Sequence, residues 1–327
     1  GSGAFFALKG NHTLGREESR AGRFVDRRDY CKLHIISHYV KALTGAYFHC
    51  LPVGKTGDDE TGGRLIREMA DASLDVRYVH SISGADTLYS LCLVYPDKSG
   101  GNLTVENSAS SVVSPEDIYN ADAECAALGT EEFVLSVPEV PLDARRALLE
   151  TGTRHRMFRA ASFITDEIKP ALEEGFFSSI DLAGLNRDEA ARLSDTDAAA
   201  PPDRIASEAV AVLQQQQENI SLSITAGSEG SWAWDGETMH HTPAIPVQNV
   251  RSTAGAGDAH FSGILAGLSA GLSLGDAQKL GTLVAAFSVT SPHTINKQIS
   301  RPKLRSLADE TGFELESPLA ELLSAYG

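Results

Sequence analysis

Cysteine is scarce and scattered. Cys31, Cys50, Cys92 and Cys125 form no Cys-x-x-Cys pair, so neither a zinc ribbon nor a disulfide framework is legible, and reduced thiols in a cytoplasmic protein are the expectation. No apolar run reaches membrane-spanning length. No charged segment followed by a long apolar one opens the chain, and Gly1-Ser2-Gly3 reads as an expression-tag remnant. Basic charge is short. Lys and Arg number 28 against 44 Asp and Glu, which gives a net charge of −16. Such a surface repels polyanions, which excludes nucleic acid and anionic membranes as general partners. A small anion is not excluded, because a few backbone amides at a helix N-terminus bind phosphate locally. The P-loop is missing too: Lys55-Thr56 lack the GxxxxGK[ST] spacing. There is no internal repeat. What remains is ordinary globular material, 327 residues with 42% hydrophobic and 22% charged content, enough to bury a large core without metal or disulfides.

Along the chain, Ala4–Leu8 reads as a strand, and residues 11–28 as a polar loop or small excursion without clear period. His34–Leu43 reads as a helix, Tyr47–Val53 as a buried strand, Gly54–Gly62 as a turn and Arg64–Ala72 as a helix. Val76–Val105 is strand-like, with turns at Ser83-Gly84 and at Lys98-Ser99-Gly100-Gly101, which suggests a hairpin. From Pro115 onward strands alternate with helices. The expected strands are Phe133–Val137, Met157–Ala161, Ile180–Leu182 and Ile220–Thr225, and the helices lie near Leu142–Glu150, Asp166–Glu174, Asp188–Leu193 and Asp203–Gln217. Alternation of this kind argues for a mainly parallel sheet with helices on both faces. Ser231–Trp234 and Met239–Pro243 are short strands, and the last third is helical at Asp258–Ala270, Leu274–Thr290 and Pro318–Ala325.

Residues Ser252 to Gly263 read S-T-A-G-A-G-D-A-H-F-S-G. Small residues let the backbone take unusual dihedrals and let a ligand come close. The helix that follows presents free N–H groups and the positive end of its dipole. Together these form an anion hole for a phosphate whose charge rises during transfer, and Asp258 at its lip is placed to take a proton from a hydroxyl. The plainer reading is a Gly-rich turn with an acidic residue in a helix's first turn.

The whole stretch resembles the second signature of the ribokinase/pfkB carbohydrate kinases, D-T-x-G-A-G-D-A-F-x-x-G, at Thr253, Gly255, Ala256, Gly257, Asp258, Ala259 and Gly263. The resemblance implies that Asp258 is the catalytic base and that the Gly255–Gly257 amides are the anion hole. Ser252 stands where the family usually carries Asp, a position linked to a monovalent-cation site, and His260 replaces the usual Phe, most simply as a packing substitute.

Other stretches extend the likeness. Asn186 and Glu189, three apart, form a capping box by local chemistry. The family's N-x-x-E implies that they also organise the water shell of Mg²⁺ at the phosphates, since Mg²⁺ keeps several waters and uses few carboxylates. Thr225, Gly227 and Gly230 resemble T-x-G-x-x-G beside the nucleotide phosphates. Val53 to Gly62 resembles V-G-x-x-G-x-D-x-x-G and reads as glycine turns before a capped helix. Ala285 to Thr294 resembles the wall of the adenine pocket, with Asn296 as a further lining residue. The family's Gly-Gly and Asn before the first long helix are absent from Arg28-Asp29-Tyr30-Cys31-Lys32-Leu33-His34, which leaves Asn11, Asp29 and Tyr30 as candidate acceptor contacts.

The resemblance implies a single ribokinase-like domain over residues 1–327, a three-layer α/β/α doubly wound sheet with a small β lid from about 11–30 and 84–106. It also implies ATP and Mg²⁺, a sugar or polyol acceptor with a primary hydroxyl, and a homodimer formed through the lid. Two alternatives stay open: a nucleoside kinase of the same family, with Phe5, Phe6 or Tyr30 stacking a base, and a non-catalytic ligand-binding protein of that fold.

Overall fold

The computed structural model describes residues 1–46, 48–97, 100–128 and 132–324. The N-terminal part runs β1 (Ser2–Leu8), β2 (Gly22–Tyr30), α1 (Lys32–Thr44), β3 (Val53–Gly57), α2 (Glu60–Asp71), β4 (Tyr78–Ile82), β5 (Tyr89–Val94) and β6 (Gly100–Thr104). Four of these strands form a small sheet in the order β2-β1-β5-β6, with β1 parallel to β5 and the outer pairs antiparallel. This is the lid. It takes in the first strand of the chain together with strands from within the two segments named for it, β2 from the first and β5 and β6 from the second. The polar stretch read as a loop is a strand from Gly22 onward. Most of its side chains are exposed, so the period-2 alternation that marks a half-buried strand never develops.

The strand expected at Tyr47–Val53 is displaced. Residues 48–52 carry no strand, and the pairing segment is β3, inside the stretch read as a turn, parallel to β4. Two glycines in five residues conceal it from propensity, which counts glycine against strands. The capped helix after it is as expected. Asp59 caps α2 by accepting from Gly62 N at 2.7 Å, and also accepts from Thr87 N at 2.7 Å and Thr87 Oγ1 at 2.8 Å. Tyr47, the Lys98-Ser99 half of the hairpin turn and Ala325 lie outside the described residues.

The body follows: α3 (Pro115–Tyr119), α4 (Asp122–Leu128), β7 (Phe133–Ser136), α5 (Leu142–His155), β8 (Phe158–Ser162), α6 (Ile168–Glu173), β9 (Leu182–Asn186), α7 (Arg187–Ser194), α8 (Pro202–Gln214), β10 (Ser221–Thr225), β11 (Ser231–Trp234), β12 (Met239–Thr242), α9 (Ala256–Ser269), α10 (Leu274–Ser288), α11 (Arg301–Thr311) and α12 (Ser317–Ser324). Helix α11 has no counterpart in the sequence reading. It is capped by Ser300, whose side chain accepts from Lys303 N.

The six-stranded sheet has the order β12-β11-β10-β9-β8-β7, with β7 to β10 parallel. Its successive residues divide between two apolar layers. Ala160 and Leu182 join α1, α9 and α10 on one face, while Ala161 and Ala183 join α6, α7 and α8 on the other. A strand buried on both faces favours small or apolar side chains at successive positions, as at Ala160–Ala161 of β8 and Leu182–Ala183 of β9. Helix α9 is buried from Ala259 to Gly267. It crosses α10 closely because Gly263 faces Gly281: a Cβ on Gly263 would lie 2.6 Å from the Gly281 Cα.

Candidate active site

Parallel strands bring their C-terminal ends to one edge, where ligands of open α/β sheets bind. Here Thr225 of β10 pairs with Asn186 of β9, and Ser162 of β8 pairs with Gly184. The N-terminus of α9 meets this edge. Gly255 precedes α9 with φ +75°, and no side chain caps the helix; Ala256 N donates to Thr253 O at 3.2 Å within the turn, and the amides of Gly257 and Asp258 follow it at the uncapped end. Gly257 lies against Thr225: a Cβ there would be 3.6 Å from Thr225 Oγ1. The cleft so formed is lined by Lys32, Ser162, Asn186, Glu189, Thr225, Gly257 and Asp258. The residues read from three separate motifs are therefore neighbours in space.

Asn186 and Glu189 make the reciprocal capping box: Asn186 Oδ1 accepts from Glu189 N at 2.9 Å, and Glu189 Oε2 accepts from Asn186 N at 2.8 Å. The local and the functional readings of this pair thus coexist. Burial pushes the Glu189 carboxyl up to about 7, with Lys32 pulling the other way. Gly227 and Gly230 take positive φ and close a tight turn, in which Ala226 N donates to Gly230 O at 2.9 Å.

Two charged residues here escaped the sequence reading. Lys32 Nζ donates to Asp258 Oδ1 at 3.0 Å. Burial works against its charge, but Asp258, Glu189 and Glu139 outweigh that and hold Lys32 firmly protonated. Lys32 is the first residue of α1, where a cation opposes the helix dipole. That local conflict was the one signal available. Glu139 stands in a left-handed backbone conformation (φ +74°), unusual for a residue other than glycine. Burial pushes its carboxyl up to about 7 as well. Nothing in its neighbours along the chain announces it.

The acceptor candidates fare differently, for none of Asn11, Asp29 and Tyr30 lines the cleft at Asp258. Asn11 Nδ2 donates to Asp97 Oδ2 at 2.8 Å at the exposed lid edge. Asp29, 1% exposed, accepts from Tyr30 N and from the amide and hydroxyl of Thr294, so it tethers the lid to the loop after α10. Tyr30 packs against His34 with centroids 4.5 Å apart and ring planes tilted by 60°, and lies beneath Lys297. Asn296 is buried and fastens the same loop: its Nδ2 donates to Phe287 O and Thr290 Oγ1, and its amide donates to Tyr39 Oη at 2.7 Å. It lines a second, larger cavity with Tyr30, Arg251 and Thr290. The Ser252 hydroxyl accepts from Ala254 N within its own turn. His260 is buried against Ser231, and burial lowers its pKa to about 4, as a packing residue requires.

A family model described as pfkB family carbohydrate kinase matches residues 49–301. The chain belongs to the pfkB family of carbohydrate kinases. Among curated relatives, it is 36% identical over 125 residues to the uncharacterized sugar kinase YegV of Escherichia coli, an alignment covering 38% of this chain and 37% of that protein. It is 27% identical over 237 residues to fructoselysine 6-kinase of Shigella flexneri, covering 71% of this chain and 80% of that one. Among solved structures, ribokinase from Cryptococcus neoformans in complex with ADP superposes with a TM-score of 0.75 at 20% identity, over 94% of this chain and 96% of that one. The fold is accordingly ribokinase-like: a three-layer α/β/α body with a β lid.

Proposed function

We propose that this protein transfers the γ-phosphoryl group of ATP to a hydroxyl, by preference a primary CH2OH, of a sugar or sugar-like small molecule. The observation that carries this reading is the Asp258 carboxylate at the uncapped N-terminus of α9, beside Asn186, Glu189 and Thr225. Asp258 takes the proton from the acceptor hydroxyl while that oxygen attacks the γ-phosphorus and ADP departs. The amides of the Gly255–Gly257 turn meet the charge that builds on the transferring group. Lys32 holds Asp258 in place. The Thr225–Gly230 turn receives the nucleotide phosphates, and Asn296 stays a lining residue of the neighbouring cavity.

A carboxyl and an amide side chain at the cleft suit Mg²⁺, which keeps most of its water. Glu189 and Asn186 would hold that ion's water shell, and Mg²⁺ bound there would neutralise phosphate charge. Ser252 brings a hydroxyl rather than a carboxylate to its position, so monovalent-cation dependence is not part of the proposal. Aromatic placement favours a sugar over a nucleoside. Phe5 is buried, Phe6 packs edge-on against Phe24 at 5.1 Å, and Tyr30 lines the other cavity instead of the cleft, which leaves none of the three to stack a base at Asp258.

The lid exposes Phe24, Val25, Leu103 and Val105, which supports association of two copies through it. The acidic net charge and free cysteines support a cytoplasmic protein. Among the described residues no helix is long and apolar enough to cross a membrane.

The test is ADP release from Mg-ATP with hexoses, pentoses, keto-deoxy sugar acids and nucleosides as acceptors, with Asp258→Asn in parallel. Turnover with a sugar, reduced about 10²- to 10⁴-fold in the variant while nucleotide binding persists, is the expected outcome. A fully active variant removes Asp258 as the base. Turnover with nucleosides alone replaces the sugar by a nucleoside.

A further inference from the structure

Away from the cleft, three side chains with metal-binding atoms meet where the lid joins the body. Asp26 and Asp29 on β2 and His293 in the loop after α10 each offer one ligand atom, all within 4.8 Å of one another. In a regular strand, residues three apart point to opposite faces. Here the register of β2 against β1 shifts between the Gly3–Asp29 and Phe5–Asp26 pairs. The extra residue of this bulge turns both carboxylates to one side. Bringing two carboxylates together is unfavourable without a cation between them.

Both carboxylates are also held from behind. Asp26 Oδ1 accepts the amides of Arg27 and Arg28 at 2.5 and 2.9 Å, while Oδ2 meets His293 Nδ1. Asp29 is oriented by Tyr30 N at 2.9 Å and by Thr294. Such outer hydrogen bonds fix ligand direction and are part of a metal site's affinity. Asp26 and His293 open onto the larger polar cavity shared with Glu68 and Arg251, where water could complete a coordination sphere.

We propose that Asp26, Asp29 and His293 bind one divalent transition-metal ion, Mn²⁺ or Zn²⁺. Two carboxylates and an imidazole suit these borderline ions better than Mg²⁺ or Ca²⁺, which prefer oxygen alone. The ion ties β2 of the lid to the loop that packs on Gly255, since Thr294 follows His293 and touches the space beside Gly255. The proposal stands apart from the phosphoryl-transfer reading and uses none of its residues.

The experiment is titration of the chelator-stripped, nucleotide-free protein with Mn²⁺, following the free ion by electron paramagnetic resonance, with Zn²⁺ as competitor. One bound equivalent, displaced by Zn²⁺ and weakened about tenfold or more in Asp26→Asn and in His293→Ala, is the expected result. Glu189→Gln leaves that equivalent in place. His293 is 51% exposed at its side chain, so His293→Ala keeps the test valid where Asp26→Asn disturbs folding. No bound equivalent up to about millimolar Mn²⁺ overturns the proposal. So does unchanged affinity in His293→Ala, or loss of the equivalent in Glu189→Gln.

Discussion

Replacing Lys32 by methionine deletes the ammonium 3.0 Å from Asp258 while keeping most of the apolar stem. The two side chains are 25% and 14% exposed. A charge-assisted hydrogen bond contributes about 1.5–3 kcal/mol, and stripping one partner from a fully buried pair costs about 3–5 kcal/mol. The remaining water access at this pair places the loss at about 2–3 kcal/mol. The loss depends on pH through Glu139 and Glu189, whose carboxyls burial pushes up to about 7 against an ordinary 4.5, with Lys32 opposing.

A carboxyl whose pKa is raised by folding favours the folded state fully below its unfolded value. That contribution is lost as pH climbs through the folded value. Without Lys32 both carboxyls rise further, at about 1.4 kcal/mol for each unit. Lys32→Met is therefore destabilised more at about pH 8 than at about pH 6. Denaturant unfolding at both pH values, followed by the fluorescence of Trp232 and Trp234, measures the difference. A variant as stable as wild type near pH 8, or an equal loss at both pH values, refutes the reasoning.

Two further substitutions probe the surroundings. Gly255→Ala forces a left-handed residue, at about 1–2 kcal/mol, and brings a Cβ to 2.9 Å from the Thr294 Cβ. Turnover should fall as the proposed anion hole shifts, and steady-state kinetics with circular dichroism as a folding control reads this out. Thr294→Val removes the hydroxyl donor of Asp29, whose pKa burial already raises. It should cost about 1–3 kcal/mol, more as pH rises, and an unchanged thermal midpoint would count against Asp29 as the tether of the lid.

Much of the candidate site was legible because its local chemistry is dense. The S-T-A-G-A-G-D-A run carries glycine freedom, a helix start and a carboxylate within a few residues. Asn186 and Glu189 sit one helical turn apart. The acceptor side was not legible: Asp29 and Tyr30 have the chemistry of ligand contacts, yet neither lines the cleft at Asp258, and they face Thr294 on one hand and His34 and Lys297 on the other. A side chain's type does not reveal which part of the fold it will face. Strand β3 and helix α11 were missed for a similar reason. The glycines of β3 act through close packing, and the single turn-initiating Ser300-Arg301-Pro302 gives little periodic signal.

By itself the amino-acid sequence determined the alternation of strands and helices, hence a parallel sheet covered on both faces, and the glycine turn before α9. These follow from interactions between residues close along the chain. Tertiary structure alone decided that Lys32 meets Asp258 across 226 residues and that the half-buried Glu139 comes near the same ammonium. It alone also decided that β1 joins the lid and that Asp26, Asp29 and His293 converge. Charge pairing and burial depend on distances that only the folded chain sets, so no local pattern in the sequence encodes them.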